Sequence, residues 1–448
     1  MKKLLYILII LTVSLPGLSQ DNGDILIRNA TVLTVTNGTL ENTDILIREG
    51  KIERIGEGLR APRGVEEVDA TGKYVMPGII DAHSHIALDA INEATSPVTA
   101  EVWTGDAIDP LDISIYRALA GGVTITHAMH GSANAIGGQN ETIKLRYGTV
   151  NPDELRMEGA PRTIKFALGE NPTRVHGSRD IVPRTRMGVE AVFRKAFSEG
   201  QAYMKEWDEY NAKKDDKNFS GKAPEYNLRL ETIADILRGE IIVHCHSYRA
   251  DEIYMLMQVC KDFGVNKLVF QHVNEGFKVA PELAEFGAMA SVFSDWWAYK
   301  FEVYYSTAYN AAILTRNGVV TSINSDSGEL IRHLYHEAAK TQKYGDLSDD
   351  EALALITINP ARQLGIDDRV GSLEEGKDGD VAIFSAHPLS IYAIPETTIV
   401  DGVVRFDRNE DPEDMRIYVN PEEEIDVTLT DHEHQDRCMQ DTEFLFNN

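Results

Sequence analysis

The residues whose type and spacing could do chemistry are histidines that close apolar runs. In "MPGIIDAHSHIALD" such a run ends in an acid, and His83 and His85 follow with one residue between them. In a strand, positions i and i+2 share a face, so the two imidazoles point the same way. Neutral imidazoles held close together suit a divalent cation. One pair is a weak signal, but the pattern recurs. "EIIVHCHS" ends in His244 and His246, "LVFQHV" supplies His272, and "VVTSINSD" ends in Asp326. Buried ionisable groups are costly unless paired or bound to metal. Histidines and a carboxylate closing successive apolar runs therefore point to a metal site rather than to packing.

A further element is "RTIKFALGENP". Lys165 lies inside its strand, where a bare ammonium would repel a cation. Carbamylation by carbon dioxide would turn it into an anion with two oxygens, able to bridge two ions. Glu170, already anionic and nearer the strand end, is the alternative bridge. The third reading is an ordinary lysine beside a site for one ion. Imidazole and carboxylate donors accept Zn, Mn, Fe or Co, and zinc is the expected ion.

Candidate substrate contacts lie on the loops. "HAMHGSANAIGGQ" carries His127, His130, Asn134 and Gln139, and a Gly-rich loop of this kind lets backbone approach a ligand. Arg249 follows His246 and could grip a carboxylate with two bonds. Tyr299 and Lys300 in "DWWAYKFE" could orient a carbonyl or an acid, and Arg174, His176 and Arg179 offer an anion contact. His432 and His434 in "DHEHQDRC" sit in an acidic setting that reads as a solvated extension.

These positions require a scaffold that presents several strand ends together. The runs "GIIDAHSH", "GVTITHAM", "RTIKFALG", "EIIVHCHS", "KLVFQHV", "GAMASVF" and "VVTSINSD" read as strands, with helical stretches such as "RADEIYMLMQVCKDFG" between several of them. Repeated strand–helix units predict an α/β fold, a TIM-like (β/α)8 barrel over residues 77–371. Seven strands are clear, and the eighth is expected in the loop-rich "HGSANAIGGQNETIKLRYG". "MKEWDEYNAKKDDKNFSGKAPEYN" reads as an exposed helix-and-loop insertion. Short alternating runs separated by "TNGT" and "REGK" predict hairpins over 21–76, and similar texture returns over 372–410. Both chain ends are thus expected to build one small β-sandwich.

The 448 residues carry a formal net charge of -27, with 43% hydrophobic and 26% charged residues. Such a surface repels phosphate backbones, which argues against a nucleic-acid partner. "MKKLLYILIILTVSLPGLSQ" has the three-part pattern of a signal peptide over residues 1–20, so export to the periplasm or outside the cell is expected. Its apolar run is too short for a spanning helix, and no stable membrane insertion is expected after cleavage. The acidic segment 411–448 reads as a tail. Cys245, Cys260 and Cys438 are odd in number and form no disulfide framework.

"PGIIDAHSH", a barrel lysine, histidines on later strands, "SDSG" with Asp326, and "TINPARQLGIDDRVGSLEEGKDGDVAIF" together resemble the amidohydrolase superfamily. More narrowly they resemble its imidazolonepropionase-related branch, which includes metal-dependent dipeptidases; "GSANAIGGQ" and "SDWWAYKFE" are similar to members of that branch. The resemblance implies that His83 and His85 bind the more buried of two metals, with carbamylated Lys165 bridging. It implies that His246 and His272 bind the second, and that Asp326 binds the first and serves as general base and acid. His246 matches the ligand position better than His244, which would lie one layer deeper. The activity implied is hydrolysis of an amide or peptide C–N bond by metal-activated hydroxide, on a small substrate such as a dipeptide or N-acyl amino acid. Deamination or cyclic-amide opening is the enzymatic alternative, and a non-catalytic binder the remaining one. A homo-oligomer is compatible with this reading.

Overall fold

The computed structural model describes residues 23–296 and 299–409. The expected signal peptide, the tail with His432 and His434, and Cys438 lie outside the described residues.

The first strands form as their turn chemistry predicts. β1 (Ile25–Leu33), β2 (Thr39–Arg48) and β3 (Lys51–Gly56) are antiparallel neighbours. Glu49 and Gly50 join β2 to β3 with φ of 51° and 74°. Two positive φ values at a two-residue turn match the twist of a tight hairpin, which is why glycine stands there. β4 (Glu66–Asp69) and β5 (Tyr74–Pro77) both pair with β1 in parallel. From the far end of the chain, β14 (Val381–Phe384), β15 (Pro395–Val400) and β16 (Val403–Asp407) extend the same sheet through β5. It encloses a core of its own, in which Ile25, Ile27, Ile45 and Ile47 meet Val381, Ile383 and Ile399.

The second sheet is the barrel: β6 (Ile79–Ser84), β7 (Val123–Ala128), β8 (Ile136–Lys144), β9 (Thr163–Ala167), β10 (Ile242–Ser247), β11 (Leu268–His272), β12 (Met289–Val292) and β13 (Thr321–Ile323), paired in that order. All seven apolar runs read as strands are strands, and the eighth falls in the expected stretch. It differs in direction, because β8 is antiparallel to both β7 and β9. A reversed strand needs no crossover helix, so the segment before it turns back as a hairpin. The amide of Asp326 donates to the carbonyl of His83 at 3.1 Å, which brings the turn after the last strand round to the first, and Ile80 donates to the carbonyl of Ile356, between helices 349–354 and 358–364, at 2.9 Å.

Helices 250–263, 186–211 and 228–238 cover the outside of the barrel. "LSDDEALALITINPARQLG" holds two helices, 349–354 and 358–364, separated where Thr357 adopts φ −135° and ψ −90°. The long helix over 186–211 runs into an exposed loop, as the polar segment there predicts. Among the described residues, no helix is long and apolar enough to cross a membrane.

Where the base of the barrel meets the small sheet, the fully buried Lys144 at the end of β8 is ringed by acids. Its Nζ lies 2.8 Å from Asp378 and 3.0 Å from Asp380, and it also pairs with Asp401. Arg146 reaches Asp401 at 2.7 Å, and Arg369 reaches Asp378 at 2.9 Å. The three carboxylates have the spacing of a metal trio, but the lysine ammonium fills the space among them.

Candidate metal centre

The parallel strands end on one side of the barrel, the side on which barrel enzymes build their sites. There His83, His272 and Asp326 offer donor atoms all within 4.8 Å of one another. The Nε2 atoms of His83 and His85 lie 3.3 and 3.1 Å from the same oxygen, Oδ1 of Asp326. The period-two spacing thus does place both rings on one face. Nε2 of His272 lies 3.8 Å from the other oxygen, Oδ2. The His246 ring stands 4.7 Å from that of His272. Lys165, fully buried, brings its Nζ to 3.0 Å from Nε2 of His83.

Backbone geometry at the strand ends serves this convergence. His272 and Asp326 have φ of 68° and 49°, in the left-handed region that L residues rarely occupy. Strain of this sort persists where the surroundings over-determine it, and sites are where it collects. At β11 it breaks the alternation of faces, so the neighbours Gln271 and His272 both contact the barrel interior. Asp81, fully buried on the His83 face, accepts from the backbone of His83 at 3.0 Å and of Ser325 at 3.3 Å, and from the Ser325 hydroxyl. It ties the first barrel strand to the turn that carries Asp326. Burial pushes its carboxyl up to about 7.

The electrostatics suit a cation. Burial holds the imidazole of His83 well below the ordinary histidine range, with the Lys165 charge adding to the effect. His272 is lowered to about 3 by burial, and His246 is likewise lowered by burial and by His272. All three are therefore neutral and able to ligate. Asp326 is held below the ordinary carboxylate range even though burial alone would raise it, so the carboxylate stays ionised. Nδ1 of His85 lies 2.8 Å from the carbonyl of Met129, which can only accept, so the ring proton sits on Nδ1 and Nε2 is bare. A bare nitrogen facing a carboxylate oxygen is an arrangement that a cation stabilises. The two ring nitrogens of His246 are buried without a hydrogen-bond partner. Buried orphan nitrogens in a neutral ring are what a missing ion would leave. The donor set fits a divalent metal.

The remaining candidates divide. His244 lies one layer deeper: Nε2 of Gln271 approaches its Nδ1 at 2.9 Å, while Oε1 of the same amide meets Nδ1 of His83 at 3.2 Å. Glu170 is engaged elsewhere, with Arg174 and Lys300 each at 3.4 Å. Lys300 is buried over the ring of Tyr248 at 4.3 Å, and Tyr248 packs on His246 at 4.5 Å. Tyr299 belongs to the same rim, its hydroxyl 3.2 Å from that of Tyr248.

The expected substrate contacts on the loops have partners within the chain. His127 is fully buried, its nitrogens bonded to the Ala82 carbonyl at 3.2 Å and the Thr163 hydroxyl at 2.7 Å. His130 meets the Gly131 carbonyl at 2.9 Å and accepts from the amide of Glu93 at 3.0 Å. Gln139 runs down the reversed strand away from the ligands and accepts from Arg162 at 2.9 Å. Arg249 spends its fork on Asp251, with both contacts at 3.1 Å. Arg174 pairs with Glu170, Arg179 donates to the Ala94 carbonyl, and His176 is buried in helix 170–177. Gln271 and Asp81 escaped the reading of the sequence. The period-two rule applied backwards from His83 reaches Asp81; only the broken alternation at His272 reveals Gln271.

Fold and donor set together define a class, a barrel with clustered cation donors at the C-terminal ends of its strands. An amidohydrolase family model matches residues 302–407. A solved amidohydrolase from Thermotoga maritima MSB8 is 37% identical with a TM-score of 0.78, covering 86% of this chain and 100% of that one. Amidohydrolase tasK of Hapsidospora irregularis is 31% identical over 81% of this chain, which spans only 40% of that protein. The imidazolonepropionase of Thermoplasma volcanium is 26% identical over 77% of this chain and 84% of its own length. A zinc-bound adenosine deaminase from Xanthomonas campestris covers 93% of this chain and 99% of its own at 16% identity, with a TM-score of 0.53, a likeness of fold alone. The chain belongs to the amidohydrolase family, hydrolases acting on carbon–nitrogen bonds.

Proposed function

We propose that this chain is a metal-dependent hydrolase that cleaves an amide or peptide bond in a small substrate, a dipeptide or an N-acyl amino acid. The observation that carries the reading is the meeting of His83 and His85 on one oxygen of Asp326, with Lys165 at the same nitrogen of His83. His83, His85 and Asp326 would hold one ion, His246 and His272 a second, and Lys165 as a carbamate would join them. Divalent ions held there would polarise a carbonyl oxygen and make water acidic.

The chain's own residues supply the rest. Asp326 is ionised and faces the cluster, so it can take the proton of attacking water and return it to the leaving nitrogen. His272, stacked between Phe293 at 4.8 Å and Tyr248 at 5.4 Å, is walled off from bulk water on both sides. Lys300, buried beside Tyr248 and paired with Glu170 at 3.4 Å, lines the same rim. The same acid–base group could serve deamination or opening of a cyclic amide. Relatives bear names of that kind, among them a 5-methylthioadenosine/S-adenosylhomocysteine deaminase of Symbiobacterium thermophilum, 21% identical. The leader at 1–20 supports export, which N-terminal sequencing of secreted material tests.

Metal analysis of the purified protein, joined to a screen of dipeptides, N-acyl amino acids, cyclic amides and aminopurines, tests the reading. Asp326→Asn should lose turnover by about a hundredfold or more while still binding a competitive inhibitor. Full turnover in that variant, or protein that retains no transition ion, would sink it.

A further inference from the structure

We infer that Gln271 is a positioning residue whose amide fixes the tautomers of His83 and His244, and so aims the lone pair of His83 at the cation site. This rests on the metal-centre reading above, but its first readout does not need a metal. Gln271 is fully buried in β11, and its two amide ends touch different rings. Oε1 lies 3.2 Å from Nδ1 of His83, and Nε2 lies 2.9 Å from Nδ1 of His244.

An amide oxygen only accepts and an amide nitrogen only donates. In the orientation observed, His83 must therefore carry its proton on Nδ1, which leaves Nε2 bare. His244 must accept at Nδ1 and keep its proton on Nε2. The surroundings select this orientation over the flipped one. In the metal-free protein, where Lys165 carries no carbamate, its Nζ is an ammonium that can only donate, and it lies 3.0 Å from Nε2 of His83. Were the amide reversed, it would donate to Nδ1, the proton would move to Nε2, and two donors would face each other at that distance.

His85 has its proton placed by the carbonyl of Met129. His83 has no carbonyl at its Nδ1 and uses a side chain instead. The choice has a consequence, because an amide couples His83 to a second buried ring while a carbonyl would not. Partners of this kind set ligand basicity and ring orientation, and their loss weakens metal binding about 10- to 100-fold.

The test reads tautomers directly from the 15N shifts of histidine-labelled, metal-free protein. His83 should show a protonated Nδ1 and a bare Nε2, and His244 a protonated Nε2. In Gln271→Glu both carboxylate oxygens accept, so His244 should move its proton to Nδ1 while the His83 tautomer stays unchanged. In Gln271→Leu, zinc affinity measured against a competing chelator should fall about 10- to 100-fold. A protonated Nε2 on His83 in the parent, an unmoved His244 proton in the Glu variant, or parental zinc affinity in a folded Leu variant would each overturn the inference. Parent protein with the expected tautomers but no affinity for any ion would instead overturn the metal reading and leave the tautomer assignment standing.

Discussion

Lys165 is the residue on which the number of ions turns. It is fully buried with Nζ 3.0 Å from the nitrogen that would ligate the first ion, where an uncapped ammonium and a dication would compete. If it acts as a carbamate, Lys165→Ala should lower turnover about a hundredfold, and millimolar formate or acetate should restore part of it by replacing the missing oxygens. An activity titration with those acids checks this; a variant as active as the parent would remove the bridge from the account. At this scale the sequence was legible where strand geometry is regular. His83 with His85 follows from a period of two, whereas His246 over His244 is what the family resemblance implies. The loop residues show the limit. His127 and His130 have the right chemistry, but their hydrogen bonds to Ala82, Thr163, Gly131 and Glu93 come from distant segments whose approach no local pattern encodes.

Among elements, the buried charges around Lys144 decide how the small sheet sits against the barrel. Burial alone would raise the Asp378 carboxyl, but Lys144 outweighs it and holds the group down at about 2. Because the folded value lies below the ordinary 3.8, its stabilisation is complete above about pH 5 and is lost as pH falls towards 2. Lys144→Met would leave Asp378, Asp380 and Asp401 facing one another and should cost about 3–5 kcal/mol at pH 7. Protonation would then relieve repulsion, so that variant should gain stability between pH 7 and 5, where Asp378 leaves the parent flat. Urea titrations across that range decide it, and parallel slopes would refute it. The strands themselves were mostly readable as apolar runs. β8 was not, because "IGGQNETIK" mixes glycine and polar residues, and a strand's direction depends on its partners rather than on its own residues.

For the whole molecule, the donors come from β6, β9, β10, β11 and the turn after β13, so bound ions would brace the barrel across its open end. The brace would span the seam where β13 returns to β6, which the Asp326–His83 backbone bond helps to close. An ion that binds only the folded state adds about 4 kcal/mol when present at a thousand times its Kd. Stripping it with a chelator should lower the calorimetric transition by several degrees, and adding zinc back should restore it. An unmoved transition would argue against ions at these donors. The split sheet was foreseeable from hairpin signals at both chain ends, whereas its anchoring on Lys144 was not, since that lysine lies in the least readable strand.

The backward course of β8 also divides the surface between two kinds of work. Because that strand descends, the stretch from Leu145 to Arg162 emerges at the floor, beside Lys144 and Asp401, far from the mouth that admits substrate. Val150 there is 80% exposed. This floor-side turn is the natural place for lineage-specific growth, or for an engineered tether to a solid support, since additions there leave the entrance clear.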